Sequence, residues 1–229
     1  MCIRDSVKVT AIVRLLERVY RLIPFGTEVS LTGDSAFRSS DILLWLDVHE
    51  WHYVIRQRQD VNIRYPDAAN WFKISKIPLQ PGETKVVGWV WLAKSNPFGL
   101  TWLLLHWSPG EDDPWILVSD WACSRTVLRR YRRRAWIEAM YRDMKSKGFD
   151  LEATQLRHAE RIERLMLGVC LVYLWLIALG SWVVKNGYRH LIGRKKRRDK
   201  GYFRIGLDWL KSRLRLGRSI RFRVVPYYS

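Results

Sequence analysis

The chain has 229 residues, enough for one domain with a sizeable core, or one domain interrupted by an insert, and cramped for two independent domains. Forty Lys and Arg against 22 Asp and Glu leave a formal net charge of +18, which sets aside an ordinary near-neutral enzyme surface and points to a polyanionic partner. The cysteines (Cys2, Cys123, Cys170) and histidines (His49, His52, His106, His158, His190) are scattered, so the sequence supports no disulfide framework, zinc site or Ser/His/Asp constellation.

In chain order, apolar residues from Val7 to Leu22 recur at three-and-four spacing and predict an amphipathic helix whose polar face carries Arg14, Arg18 and Arg21. Val29 and Leu31 read as a short buried strand ending in Gly33-Asp34. A second amphipathic helix follows from about Ser39 to His49, and then a strand from Trp51 to Arg56. Strand, helix, strand in this order predicts parallel pairing with a right-handed crossover, and such sheets place their sites at the C-terminal strand ends, where Asp34 falls.

From about Val61 to Ser119 the pattern changes to short Trp-, Val- and Leu-rich runs, among them Val86–Leu92, Thr101–Trp107 and Trp115–Val118, punctuated by Pro and Gly. This predicts a small antiparallel β insert in which Trp89, Trp91, Trp102, Trp107 and Trp115 pack rather than stack on bases. Beyond it the chain is predicted to turn helical, with a basic helix from Thr126 to Lys147, a stop at Gly148 and a long helix from about Ala153 to Val184. The tail from Lys185 to Arg223 holds fifteen basic and two acidic residues and includes the Arg-Lys-Lys-Arg-Arg run at 194–198. The periodicity of Leu207, Leu210 and Leu214 predicts one more short helix in it.

Residues three, four and seven apart share a helix face, so Tyr131, Arg134, Glu138 and Lys145 would project within about 60° of one another. One acid framed by two cations and a phenol suits either an intrahelical salt-bridge ladder or a metal ligand flanked by groups that grip phosphate. Trp136, beside the row, suits either packing or DNA contact.

The run from Tyr131 to Lys145, Y-R-R-R-A-W-I-E-A-M-Y-R-D-M-K, resembles the DDE transposases of bacterial insertion sequences. The similarity is to the branch whose last acid lies in a Tyr-x-x-Arg-x-x-x-Glu-x-x-x-x-x-x-Lys signature. The Lys147 to Glu152 run, K-G-F-D-L-E, and the L-T-G-D-S-A-F around Asp34 are similar to the family's pattern as well. The resemblance implies an α/β fold, an incomplete ribonuclease-H-like core with a β-rich insertion and a helical basic C-terminus. Residues 7–58 would form the first part of the core, 59–120 the insertion, 121–185 the helical part bearing the catalytic Glu, and 186–229 the basic tail.

It also implies Asp34 and Glu138 as catalytic carboxylates and ligands of a two-Mg²⁺ site, with Tyr131, Arg134, Lys145 and Trp136 on the DNA. The implied partners are double-stranded DNA at element ends, target DNA and a second copy of the chain, in a bacterial cytoplasm at the nucleoid. The family's first Asp lies on an opening strand, and only the Val7 helix precedes Asp34 here. Asp5 leaves no room for the intervening strands. The chain is therefore expected to lack the first acid and the N-terminal DNA-binding region, and to be inactive alone.

Two other readings stand beside this one. Leu165–Val184 is twenty residues without a charge, followed by Lys185, which fits a basic membrane-anchored protein with a single helix at 165–184. The tail and tryptophans also fit a non-enzymatic DNA-binding module.

Overall fold

The computed structural model describes residues 9–145, 148–192, 200–220 and 225, and the chain divides into two units, Met1–Ala135 and Trp136–Ser229. The basic run at 194–198 lies outside the described residues.

The first unit is built on a seven-stranded mixed sheet. In chain order its elements are α1 (Val9–Leu22), β1 (Ser30–Gly33), α2 (Ser40–Val48), β2 (His52–Arg56), β3 (Asn62–Arg64), β4 (Phe72–Lys73), β5 (Thr84–Leu92), β6 (Phe98–His106), β7 (Trp115–Ser119) and α3 (Ser124–Arg132). The strand order is β1-β2-β7-β6-β5-β3-β4, with β1 and β2 parallel and every other pair antiparallel. The expected β1-α2-β2 crossover is present, and the strands of the 59–120 segment continue the same sheet, because β7 pairs with β2.

Alternation along the central strands explains why both faces are covered. Tyr53, Ile55, Leu103, Leu105, Ile116 and Val118 join Ile12, Leu16, Ile42, Leu43 and Leu46 of α1 and α2 in one cluster. The intervening Val54, Trp102, Leu104 and Leu117 join Val127 and Tyr131 of α3 in another. Strand side chains point alternately to opposite faces, so a strand apolar at successive positions needs cover on both sides. Each fully buried Leu or Ile here contributes about 1.5–3 kcal/mol of transfer free energy. Trp102 is buried as packing, whereas Trp89 on β5 is exposed.

α2 begins close to where the sequence placed it, and is capped by Ser39: its hydroxyl accepts from the Asp41 N–H, satisfying one of the orphan donors of the first turn. The predicted Thr126–Lys147 helix is instead two helices, α3 and α4 (Ala135–Met144), interrupted at Arg133–Arg134. Continuing α3 would set Arg129 against Arg133 and Arg130 against Arg134, four apart on one face and alike in charge. Stopping leaves Arg129, Arg130 and Arg132 at the negative end of the α3 dipole.

The second unit holds α4, α5 (Ala159–Lys185) and α6 (Tyr202–Arg215). The long helix starts later than expected, after a single turn at Leu151–Ala153, and α6 matches the short helix foreseen in the tail. α5 is long and apolar enough to cross a membrane by length and composition. Its C-terminal half is the buried half, with Leu179 and Val183 packed against Ile205 and Trp209 of α6. The two helices cross at Gly180 and Gly206: a Cβ on Gly206 would lie 2.0 Å from the Leu176 carbonyl oxygen, and one on Gly180 would lie 1.9 Å from that of Tyr202.

Candidate active-site cleft

The register of three strands creates the site. Parallel pairing sets Gly33 of β1 beside Ile55 of β2, and antiparallel pairing sets Arg56 beside Leu117 of β7. The C-terminal ends of β1 and β2 therefore meet the N-terminal end of β7 at one edge of the sheet. A cleft of about 470 Å³ opens there, and Asp34, Arg56, Gln57, Arg58, Asp113 and Arg134 are among its lining residues.

Asp34 lies immediately beyond β1 and caps a single turn at Ser35–Phe37, its Oδ1 accepting from the Ala36 N–H at 2.9 Å. The carboxylate is held at the mouth of the cleft by its own backbone. Arg56 donates to the Pro114 carbonyl at 3.2 Å, tying the end of β2 to the entry of β7. Arg58 pairs with Asp60 at 3.2 Å, a solvent-exposed contact.

Arg134 reaches the same cleft from the turn after α3, and its guanidinium lies 5.8 Å from the centre of the Tyr131 ring. Tyr131 itself is 3 % exposed, with its ring edge-on to Trp115 at 4.9 Å. Burial pushes its phenol up from 10.0, and the Arg134 and Arg56 charges beside it pull the other way. The ring acts as a buried post against which those two guanidiniums are placed.

Of the residues singled out from sequence, the first unit brings Asp34 and Arg134 into one cleft with Tyr131 behind them. Glu138 and Trp136 belong to α4 and Lys145 to the turn that follows it, in the second unit. Glu138 occupies the first turn of α4, where a carboxylate is favoured by the helix dipole. Trp136 is 69 % exposed. The helical count that set Tyr131, Arg134, Glu138 and Lys145 on one face does not run through, because the helix is broken between the second and third of them.

Arg56 and Gln57 were not singled out from sequence. Their signal was positional: Arg56 ends the strand that runs parallel to β1 and Gln57 follows it, so both emerge beside Asp34. At the other end of the same strands, His52 Nδ1 hydrogen-bonds the Asp120 carboxylate, and its ring stacks on Trp121 at 4.6 Å.

The side chains of the cleft that could ligate a metal are carboxylates, amides and one hydroxyl, without sulfur or imidazole, and three guanidiniums stand beside them. That set fits a hard divalent cation such as Mg²⁺, which takes one or two carboxylates and completes its shell with water and phosphate oxygens. Among the described residues no group of three or more His, Cys, Asp or Glu stands together as a metal site.

The first unit is thus an α/β fold with a parallel β-α-β entry, an acid at the first strand end and a basic helix behind the sheet. The family described as transposase DDE domain matches residues 4–175, most of the chain, and the chain belongs to that family. DDE transposases act on DNA in transposition, as polynucleotidyl transferases that generally use divalent metal ions. No curated protein matches the chain.

Proposed function

We propose that the chain binds the ends of a mobile DNA element through the cleft at the β1–β2 edge, as part of an insertion-sequence transposase. The observation that carries this reading is the presence of Asp34 and Arg134, an acid and a base of the resembled pattern 100 residues apart in sequence, in one cleft. In this reading Asp34 and Glu138 are the second and third carboxylates of the acidic set and would hold Mg²⁺.

When bound, the metal supplies Lewis-acid stabilisation of charge on the reacting phosphate. Arg56 and Arg134 grip backbone phosphate, and Tyr131 positions them from behind. Lys145 and Trp136 are DNA contacts in this reading as well, and the net charge of +18 supplies the sequence-independent part of the affinity.

The family's chemistry uses three acids, and the matched pattern assigns two of them here. We therefore propose that the 229-residue chain alone binds DNA without cutting it. Gel-shift and plasmid-nicking assays on the full chain test both halves. Salt-dependent binding to duplex DNA in EDTA is expected, with Arg134→Ala weakening it about tenfold or less and Asp34→Asn leaving it nearly intact. No nicking is expected with Mg²⁺ or Mn²⁺. Absence of duplex binding at low salt would defeat the DNA reading, and metal-dependent nicking abolished by Asp34→Asn would defeat the inactivity.

A further inference from the structure

Gln57 follows the last residue of β2, is 3 % exposed, and its Nε2 has no hydrogen-bond partner. The alternation that buries Tyr53 and Ile55 would place an apolar residue next in the series, and a Leu or Met there would carry no polar cost. A buried amide donor left unpaired costs about 1–3 kcal/mol. Its backbone is already satisfied, since the Gln57 N–H donates to the Ile116 carbonyl at 2.7 Å. The sheet therefore needs residue 57 but makes no use of its side-chain N–H groups.

The cleft that Gln57 helps to line says what those groups suit. Arg56, Arg58 and Arg134 line it beside the carboxylates of Asp34, Asp60 and Asp113; Arg58 is paired with Asp60, and the guanidiniums of Arg56 and Arg134 are the groups that would collect anionic oxygen. A neutral amide adds two N–H donors without adding charge that would have to be desolvated. We propose that Gln57 is a DNA-contacting residue whose Nε2, unpaired in the free protein, donates to a phosphate oxygen of the strand seated in the cleft. The inference rests on the reading that this cleft binds DNA.

A structural glutamine and a ligand-facing one respond oppositely to replacement. Gln57→Leu, with Gln57→Met as a second variant of similar volume, removes the donors while keeping the bulk. Thermal unfolding of the full chain is measured beside its affinity for a short DNA duplex, in EDTA at one low ionic strength. The expected result is an unchanged or raised Tm together with about tenfold weaker DNA binding, the loss of one hydrogen bond to a charged oxygen.

A fall in Tm in both variants would overturn the proposal by making the amide structural, whether paired to protein or to a bound water. Wild-type DNA affinity in both variants would overturn it too. If wild type binds and Arg134→Ala weakens binding while the Gln57 variants match wild type, only the role of Gln57 is lost. If wild type itself fails to bind duplex, the cleft reading falls and this one with it.

Discussion

The two units achieve order by different means. In the first, a sheet apolar on both faces is closed by α1 and α2 on one side and α3 on the other, and polar groups inside it are mostly paired. Tyr53 donates to Thr101 at 3.0 Å, and Thr101 donates on to the Ser119 carbonyl at 3.1 Å, all within the core. In the second, α5 and α6 meet backbone to backbone at two glycines, with Trp209, Trp182 and Tyr188 gathered beside the crossing. A core of interlocked side chains spreads any single change over many neighbours. A glycine crossing concentrates it at one point.

The largest expected effect tests that contrast at the crossing. Gly206→Ala puts a methyl 2.0 Å from the Leu176 carbonyl oxygen, a backbone atom that yields only if the helices part. The cost expected is about 3 kcal/mol or more. Hydrogen exchange should show loss of protection in α5 and α6 with the amides of β2, β6 and β7 still protected. Equal loss in both sets would mean that the two units unfold as one, and the contrast would fail.

A middle-sized effect probes the first unit. Thr101→Val keeps the shape but leaves the Tyr53 hydroxyl without its acceptor, costing about 1–3 kcal/mol. Urea unfolding should give a lower midpoint with an unchanged m value. A midpoint equal to wild type would show that the buried hydroxyl network contributes nothing to the sheet.

Much of the first unit was legible because its periods are clean. The β1-α2-β2 order and Asp34 at a strand end each follow from the spacing of the apolar runs. The break at Arg133–Arg134 was not, because apolar periodicity ignores the repulsion of arginines four apart. With the helix interrupted between Arg134 and Glu138, one helical wheel does not describe the signature row. Gln57 was hidden for a different reason, since an isolated polar residue after a strand matches no motif until its burial is known. In α6 the pattern suggested Leu207, Leu210 and Leu214, yet the buried residues are Phe203, Ile205, Gly206 and Trp209, and Leu214 is exposed. A glycine at the centre of a contact is invisible to any hydrophobic count.

The smallest effect asks how far the basic helix of the first unit acts on the sheet beneath it. His106 ends β6, hydrogen-bonded through Nδ1 to Thr84 at 2.6 Å and through Nε2 to Ser108 at 3.1 Å. Burial lowers its pKa below 6.5, and the positive charge of Arg132 on α3 lowers it further. The folded state thus prefers the neutral ring. Its contribution to stability is present above the unfolded value of 6.5 and declines as pH falls from there through the folded value, because the unfolded chain binds the proton more readily. Arg132→Gln should move the His106 titration part of the way back toward 6.5 in an NMR pH series, with the remainder held by burial. A wild-type titration at or above 6.5, or one that ignores the loss of Arg132, would show that the arginines of α3 are screened from the sheet. Their charge would then be directed wholly outward, toward the polyanion that the composition calls for.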